Sequence, residues 1–157
     1  MANKKLLVLV DGSSYLFRAF HALPPLTRKS DGLPIGAVSG FCNMLQRYVE
    51  DATGPDAPTH VAVIFDKGSH TFRNDMYDQY KANRPPMPED LVGQLPLIKQ
   101  VTEAFNIPVI EKAGFEADDL IGTLCRLAVE RGFKVVMVTG DKDFIQLVTE
   151  RTVIWDP

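Results

Sequence analysis

The chain has little cysteine, histidine or tryptophan, and no long apolar run. Its two cysteines, Cys42 and Cys125, are too few and too far apart for a disulfide framework or a zinc site. Each sits among apolar neighbours in a stretch that reads as helix, so both are expected to pack as small buried hydrophobes. His21, His60 and His70 are scattered and form no ligand pattern. No run approaches the ~20 apolar residues of a membrane span. The basic start Met1-Ala2-Asn3-Lys4-Lys5 is followed by only five apolar residues before Asp11, short of the ~7–15 of a signal peptide. The expectation is a first strand and a cytoplasmic protein with no membrane partner. A Gly-x-x-x-x-Gly-Lys-Ser/Thr loop for nucleotide phosphates is missing, as is a nucleophile elbow, and no small-molecule cofactor is expected.

What is present is a series of apolar runs that stop at acids. Leu6–Val10 precedes Asp11, Val61–Phe65 precedes Asp66, and Val135–Val138 with Thr139-Gly140 precedes Asp141. A fourth cluster, Glu116-Ala117-Asp118-Asp119, follows the shorter run Pro108-Val109-Ile110. Uninterrupted Val/Ile/Leu runs read as strands buried on both faces, hence a parallel sheet. Between them, helical spacing predicts helices over Tyr15–His21, Ala37–Asp51, Glu89–Phe105 (kinked at Pro96), Ala117–Arg131 and Lys142–Val148. Strands are expected at Lys5–Val10, Thr59–Phe65, Pro108–Glu111, Lys134–Thr139 and Thr152–Trp155. This alternation predicts a three-layer α/β fold, and a length of 157 residues suits one domain over 1–157.

In open parallel sheets the working site lies beyond the carboxyl ends of the strands, so the acids should converge at one edge. Crowded carboxylates repel, and the natural counter-charge is a hard divalent cation, Mg2+ with Mn2+ as substitute. Glu116-x-Asp118-Asp119 opens a helix, Asp141-x-Asp143 lies in a strand-to-helix turn, and Asp11 and Asp66 each end a strand. Together they offer more oxygens than one ion needs. That excess suggests two ions, able to stabilise the attacking and leaving oxygens of a phosphodiester displacement. Taken singly, Asp119 or Asp143 could be no more than a helix cap, and Asp11 an Asx-turn residue before Gly12; only jointly do the acids argue for a site. A dehalogenase-type phosphatase wants Asp-x-Asp after the first strand, where this chain has Asp11-Gly12-Ser13. A receiver domain wants paired acids near the same strand. Removing the seven acids Asp11, Asp66, Glu116, Asp118, Asp119, Asp141 and Asp143 from a net charge of −3 leaves +4. The overall charge therefore does not exclude a phosphate-rich partner.

One segment has a different character. Lys67–Pro88 carries Lys67, Arg73, Lys81 and Arg84 against Asp75 and Asp78, with Phe72, Tyr77 and Tyr80 interleaved, and ends in the stiff Arg84-Pro85-Pro86-Met87-Pro88. Arginine and lysine neutralise phosphate, and an exposed ring can stack on an unpaired base. The alternative is a solvated helical face with two core aromatics.

The motifs Val10-Asp11-Gly12-Ser13-Ser14-Tyr15-Leu16-Phe17-Arg18-Ala19, Phe65-Asp66, Thr71-Phe72-Arg73, Tyr80-Lys81-x-x-Arg84-Pro85-Pro86-Met87-Pro88, Glu116-Ala117-Asp118-Asp119-Leu120-Ile121-Gly122-Thr123-Leu124 and Thr139-Gly140-Asp141-Lys142-Asp143 resemble the 5′-nuclease domains of bacterial DNA polymerase I, in the flap endonuclease superfamily. The resemblance runs from about Leu6 to Pro157 and implies a PIN-like fold with a mostly parallel central sheet. It implies magnesium-dependent hydrolysis of phosphodiester bonds at DNA 5′ ends and flaps, in replication and repair. It gives metal-ligand roles to the seven acids and a scissile-phosphate role to Lys81 and Arg84. It places Tyr80 near the reacting nucleotide and Arg18 and Arg73 among the substrate contacts. The family continues into further acidic ligands, a helix–three-turn–helix element and the remainder of the polymerase chain, none of which is in this sequence. The expectation is therefore an N-terminal part of such a domain. Two other functions stay open: a nucleic-acid-binding piece without turnover, and a stand-alone PIN-like ribonuclease.

Overall fold

A computed structural model describes residues 4–50 and 53–156. Its centre is a five-stranded, all-parallel sheet in the order β3-β2-β1-β4-β5. The strands are β1 Leu6–Asp11, β2 His60–Ile64, β3 Val109–Ile110, β4 Lys134–Val138 and β5 Thr152–Trp155. The apolar runs became the three middle strands because each needs cover on both faces. Val8, Val10, Val63 and Val138 point into one core, and Leu9, Ala62, Ile64, Val135 and Met137 into the other.

Helices α1 (Gly12–Ala22), α2 (Gly36–Glu50) and α5 (Leu95–Ala104) cover the first face, supplying Leu16, Phe41, Leu45 and Ile98. Helix α6 (Ala117–Glu130) covers the second with Ala117, Ile121, Cys125 and Ala128. This is the three-layer α/β arrangement the sequence predicts. The expected end of the second helix at Asp51 lies outside the described residues.

Two expectations are modified. The kinked helix over Glu89–Phe105 is two helices, α4 (Glu89–Val92) and α5, separated at Gly93-Gln94. Pro96 falls in the first turn of α5, where its missing N–H costs nothing. The last predicted helix is a 3-10 helix, Lys142–Leu147. Helix α6 ends as expected at Gly132, whose φ of +84° only glycine adopts cheaply. Both cysteines are free; Cys125 is buried and its thiol pushed up to about 11 by burial.

The chain leaves β1 toward β2 and β3 on one side, then returns through α6 to β4 and β5 on the other. The switch in direction thus falls between β1 and β4, the position where open α/β sheets place their sites. Among the described residues, no helix is long and apolar enough to cross a membrane.

Candidate active site

Asp11 is the last residue of β1 and is 4% exposed. Thr139, at the end of β4, donates its hydroxyl to Asp11 Oδ2 at 2.8 Å, and the Ser14 N–H donates to Oδ1 at 3.3 Å. Gly12 allows this close packing. A Cβ there would stand 2.6 Å from Phe65 Cε1 and 2.8 Å from the Ile64 carbonyl. Burial pushes the Asp11 carboxyl above its ordinary value, against the pull of the Thr139 and Ser14 hydrogen bonds; Asp66 and Asp141 add to the rise.

Asp66, just past β2, is exposed and accepts from the Ser13 hydroxyl at 3.0 Å and the Ala117 N–H at 2.6 Å. That second bond ties the β2 end to the start of α6. Asp141 caps the 3-10 helix through the Asp143 N–H at 2.9 Å, and its own N–H donates to the Thr139 hydroxyl at 3.0 Å. Asp118, in the first turn of α6, is pushed up to about 6, by burial first and then by Asp11, Asp141, Glu116 and Asp66. These acids therefore feel one another at a single edge, as the topology requires.

The other half of the Glu116–Asp119 motif faces cations. Arg73 donates two hydrogen bonds to Asp119, at 2.8 and 2.7 Å, and its guanidinium lies 3.7 Å from Glu116 Oε2. Lys81 donates to Glu116 Oε1 at 3.0 Å. Arg73 thus holds the Asp119 carboxyl below its usual range. Burial draws the Lys81 ammonium down more than any other single influence, but the hydrogen bond to Glu116, the charge of Glu116 and the Tyr80 contact together leave it raised. Glu116 and Asp119 also form a capping box at the start of α6.

The basic segment folds into the short helix α3 (Phe72–Met76) and a following turn. Its aromatics are not core. Phe72 and Tyr77 are exposed, and Tyr80 lies beside Lys81 and Arg73, 5.1 and 6.0 Å from ring centre to charge. Lys81 adopts φ +55°, a left-handed conformation that costs a non-glycine residue about 1–2 kcal/mol. A cleft of about 680 Å3 runs between this segment and the acids, lined among others by Ser13, Asp66, Tyr80, Lys81, Arg84 and Glu116. A second, polar cleft of about 540 Å3 on the far side of Glu116 is lined by Arg73, Asp118, Asp119, Arg126 and Asp143. Arg18 lies elsewhere: it pairs with Asp156 at 2.9 Å, on the flank near Gly140.

The residues the sequence reasoning passed over are Thr139, Ser13 and Asp156. Each had a visible signal. Thr139 and Ser13 stand inside the motifs that carry Asp141 and Asp11, and Asp156 directly follows β5. A third cleft, about 720 Å3 and mostly apolar, lies between α1, α2 and the β5 edge and contains none of the convergent acids.

Could this edge hold a divalent cation? The converging side chains at the Asp118 end are all carboxylates, the donor type for hard ions. Their mutual repulsion and burial, expressed in Asp118, would be relieved by a positive charge. Among the described residues, no three Asp, Glu, His or Cys side chains stand close enough to form a ready-made cage. The donor set fits.

The family of 5′-3′ exonuclease N-terminal resolvase-like domains matches residues 6–157. The chain belongs to this family. It is 58% identical over 153 residues to DNA polymerase I of Rhizobium leguminosarum, covering 96% of this chain and 15% of that protein. It is 51% identical over 142 residues to DNA polymerase I of Pseudomonas aeruginosa, covering 90% of this chain and 15% of that one. Such relatives are thus several times longer than the chain. Among solved structures, T5 5′-exonuclease with bound zinc superposes with a TM-score of 0.73 at 21% identity, over 94% of this chain and 54% of that one. A T5 D15 flap endonuclease in a pseudo-enzyme-product complex with DNA and metal ions superposes with a TM-score of 0.67 at 22% identity, over 96% of this chain and 54% of that one. At such identities the likeness establishes the shared fold.

Proposed function

We propose that this chain is the N-terminal part of a 5′-nuclease that hydrolyses phosphodiester bonds at DNA 5′ ends and flaps, acting in replication and repair within a DNA polymerase I. The observation that carries the reading is the convergence of Asp118 with Asp11, Asp66, Asp141 and Glu116 beside a cleft bearing Tyr80, Lys81 and Arg84. Family membership and the metal and DNA held by the T5 neighbours support it.

Asp11, Asp66, Asp118 and Asp141, with Glu116 and Asp143 adjoining, would hold Mg2+ or Mn2+, two ions in the intact domain. Such ions supply Lewis-acid activation of water and charge neutralisation at phosphate. The protein's own groups do the rest. Thr139 and Ser13 fix the orientation of Asp11 and Asp66. Lys81 and Arg84 offset charge that develops on the phosphate. Tyr80 offers a ring to a base. Arg18, beside Asp156, contacts the substrate backbone on the Asp141 flank.

Cleavage of a labelled 5′-flap DNA by this chain in magnesium, manganese and EDTA, beside Asp141→Asn, tests the reading. Metal-dependent product that the variant fails to make is expected. Flap binding without product would show that the chain is a binding piece, and equal cleavage of unpaired RNA would favour a ribonuclease.

A further inference from the structure

Six residues close a ring of contacts between the basic segment and α6. From Asp119 the ring passes to Arg73 through two parallel hydrogen bonds, 2.7 and 2.8 Å. The next residue, Asn74, closes the Thr71 capping box of α3 with its side-chain oxygen and donates its amide to the Tyr80 carbonyl at 3.2 Å. Lys81 follows Tyr80 and reaches Glu116 at 3.0 Å. The ring shuts where the Glu116 N–H donates to Asp119 Oδ2 at 3.0 Å.

Both Asp119 oxygens are therefore engaged, one of them twice, by donors of the protein. A planar guanidinium matches a carboxylate in this way with a definite orientation, which a lysine cannot reproduce. The pair is partly shielded, with side-chain exposures of 31% and 21%, and the Phe72 ring centre lies 4.5 Å from the guanidinium carbon. A surface pair would hold little; this one has the geometry and shielding to hold a segment in place. What it holds is the strained Lys81 backbone.

Resting on the nuclease reading above, we infer that Asp119 is a positioning residue that acts through Arg73 to hold Tyr80 and Lys81 over the acidic edge, and not a ligand of the cation. Asp118 and Asp119 are adjacent in sequence but do opposite work: one faces the other acids, the other fastens the segment that meets the substrate.

The test uses Asp119→Asn, Arg73→Gln, their double variant, Arg73→Lys and Asp118→Asn, each checked for folding by circular dichroism. Mn2+ binding is measured by calorimetry, and opening of the segment by the rate at which a lysine-specific protease cuts the Lys81–Ala82 bond. Asp119→Asn is expected to keep Mn2+ affinity within about threefold of the parent, while Asp118→Asn loses more than about tenfold. Asp119→Asn, Arg73→Gln and Arg73→Lys should each speed cutting by about fivefold or more, with the double variant no faster than the singles. Loss of Mn2+ affinity in Asp119→Asn equal to that in Asp118→Asn would overturn the inference, as would unchanged cutting in the Arg73 variants. Should Asp119→Asn fail to fold, Asp119→Ser takes its place in the Mn2+ arm and Arg73→Gln, which adds no lysine, decides the protease arm. A parent chain that binds no Mn2+ would sink the nuclease reading, while the protease arm would still judge the clamp.

Discussion

The acidic edge has two halves, and they differ in what holds their charges. Asp11, Asp66 and Asp141 are held by hydroxyls and backbone N–H groups, and Asp118 is raised first by burial and then by the acids around it. Glu116 and Asp119 are held by Lys81 and Arg73. Neutral donors orient a carboxylate but leave its charge available. Cationic donors offset that charge and, at Asp119, turn it into a structural tie. An acidic motif read from sequence alone can therefore contain residues of both kinds, even side by side.

The largest effect that would break this comparison is catalytic. Asp11→Asn or Asp118→Asn is expected to lower flap cleavage by at least about a hundredfold with the fold retained; cleavage at the parent's rate in either would dispose of the metal role for the first half. Next is the backbone beneath it. Gly12→Ala would drive a methyl into Phe65 and the Ile64 carbonyl. It should cost about 1–3 kcal/mol in urea unfolding and disturb Asp11 alongside it.

A pH series sharpens the comparison further. The Asp118 carboxyl is raised to about 6 in the folded chain, well above the ordinary ~3.9 expected when unfolded. The folded state then binds the proton more tightly, so stability is fully present below the lower value and falls as pH rises through the higher one. In EDTA at pH 8, Asp118→Asn should melt above the parent, and the difference should vanish at pH 4. A variant that melts lower at pH 8 would mean that the negative charge is already compensated. The smallest effect belongs to an exposed pair. Glu130→Ala, which removes the partner of Arg126 at 2.9 Å, should change stability by no more than about 0.5 kcal/mol, whereas breaking the Arg73–Asp119 pair opens a segment.

Much of the fold was legible because the middle strands must bury both faces. Runs such as Val61–Phe65 admit few other readings, and their boundaries fall within a residue or two of those observed. The helix break near Pro96 was harder to see. Proline announces a disruption, but whether it kinks a helix or starts one depends on the residues before it, here Gly93 and Gln94 in αR geometry. The convergence of acids was legible from the strand ends. The division of labour between them was not, because Arg73 and Asp119 are 46 positions apart and nothing local marks them as partners. Thr139 stood in a visible motif, but its role was hidden for the same reason: its hydroxyl serves an acid on another strand.

That last contact has a consequence for the order in which the molecule can be made. β1 is synthesised first, yet it lies between β2 and β4, and its terminal Asp11 is bonded to Thr139, 128 positions later. Until β4 has left the ribosome, the first strand lacks a neighbour along one side and its acid lacks the hydroxyl that orients it. Sheets closed by such distant pairings assemble late and slowly. Until the chain has been made as far as Thr139 it therefore cannot present the complete edge, and the charged centre is finished only after β4 has joined the sheet.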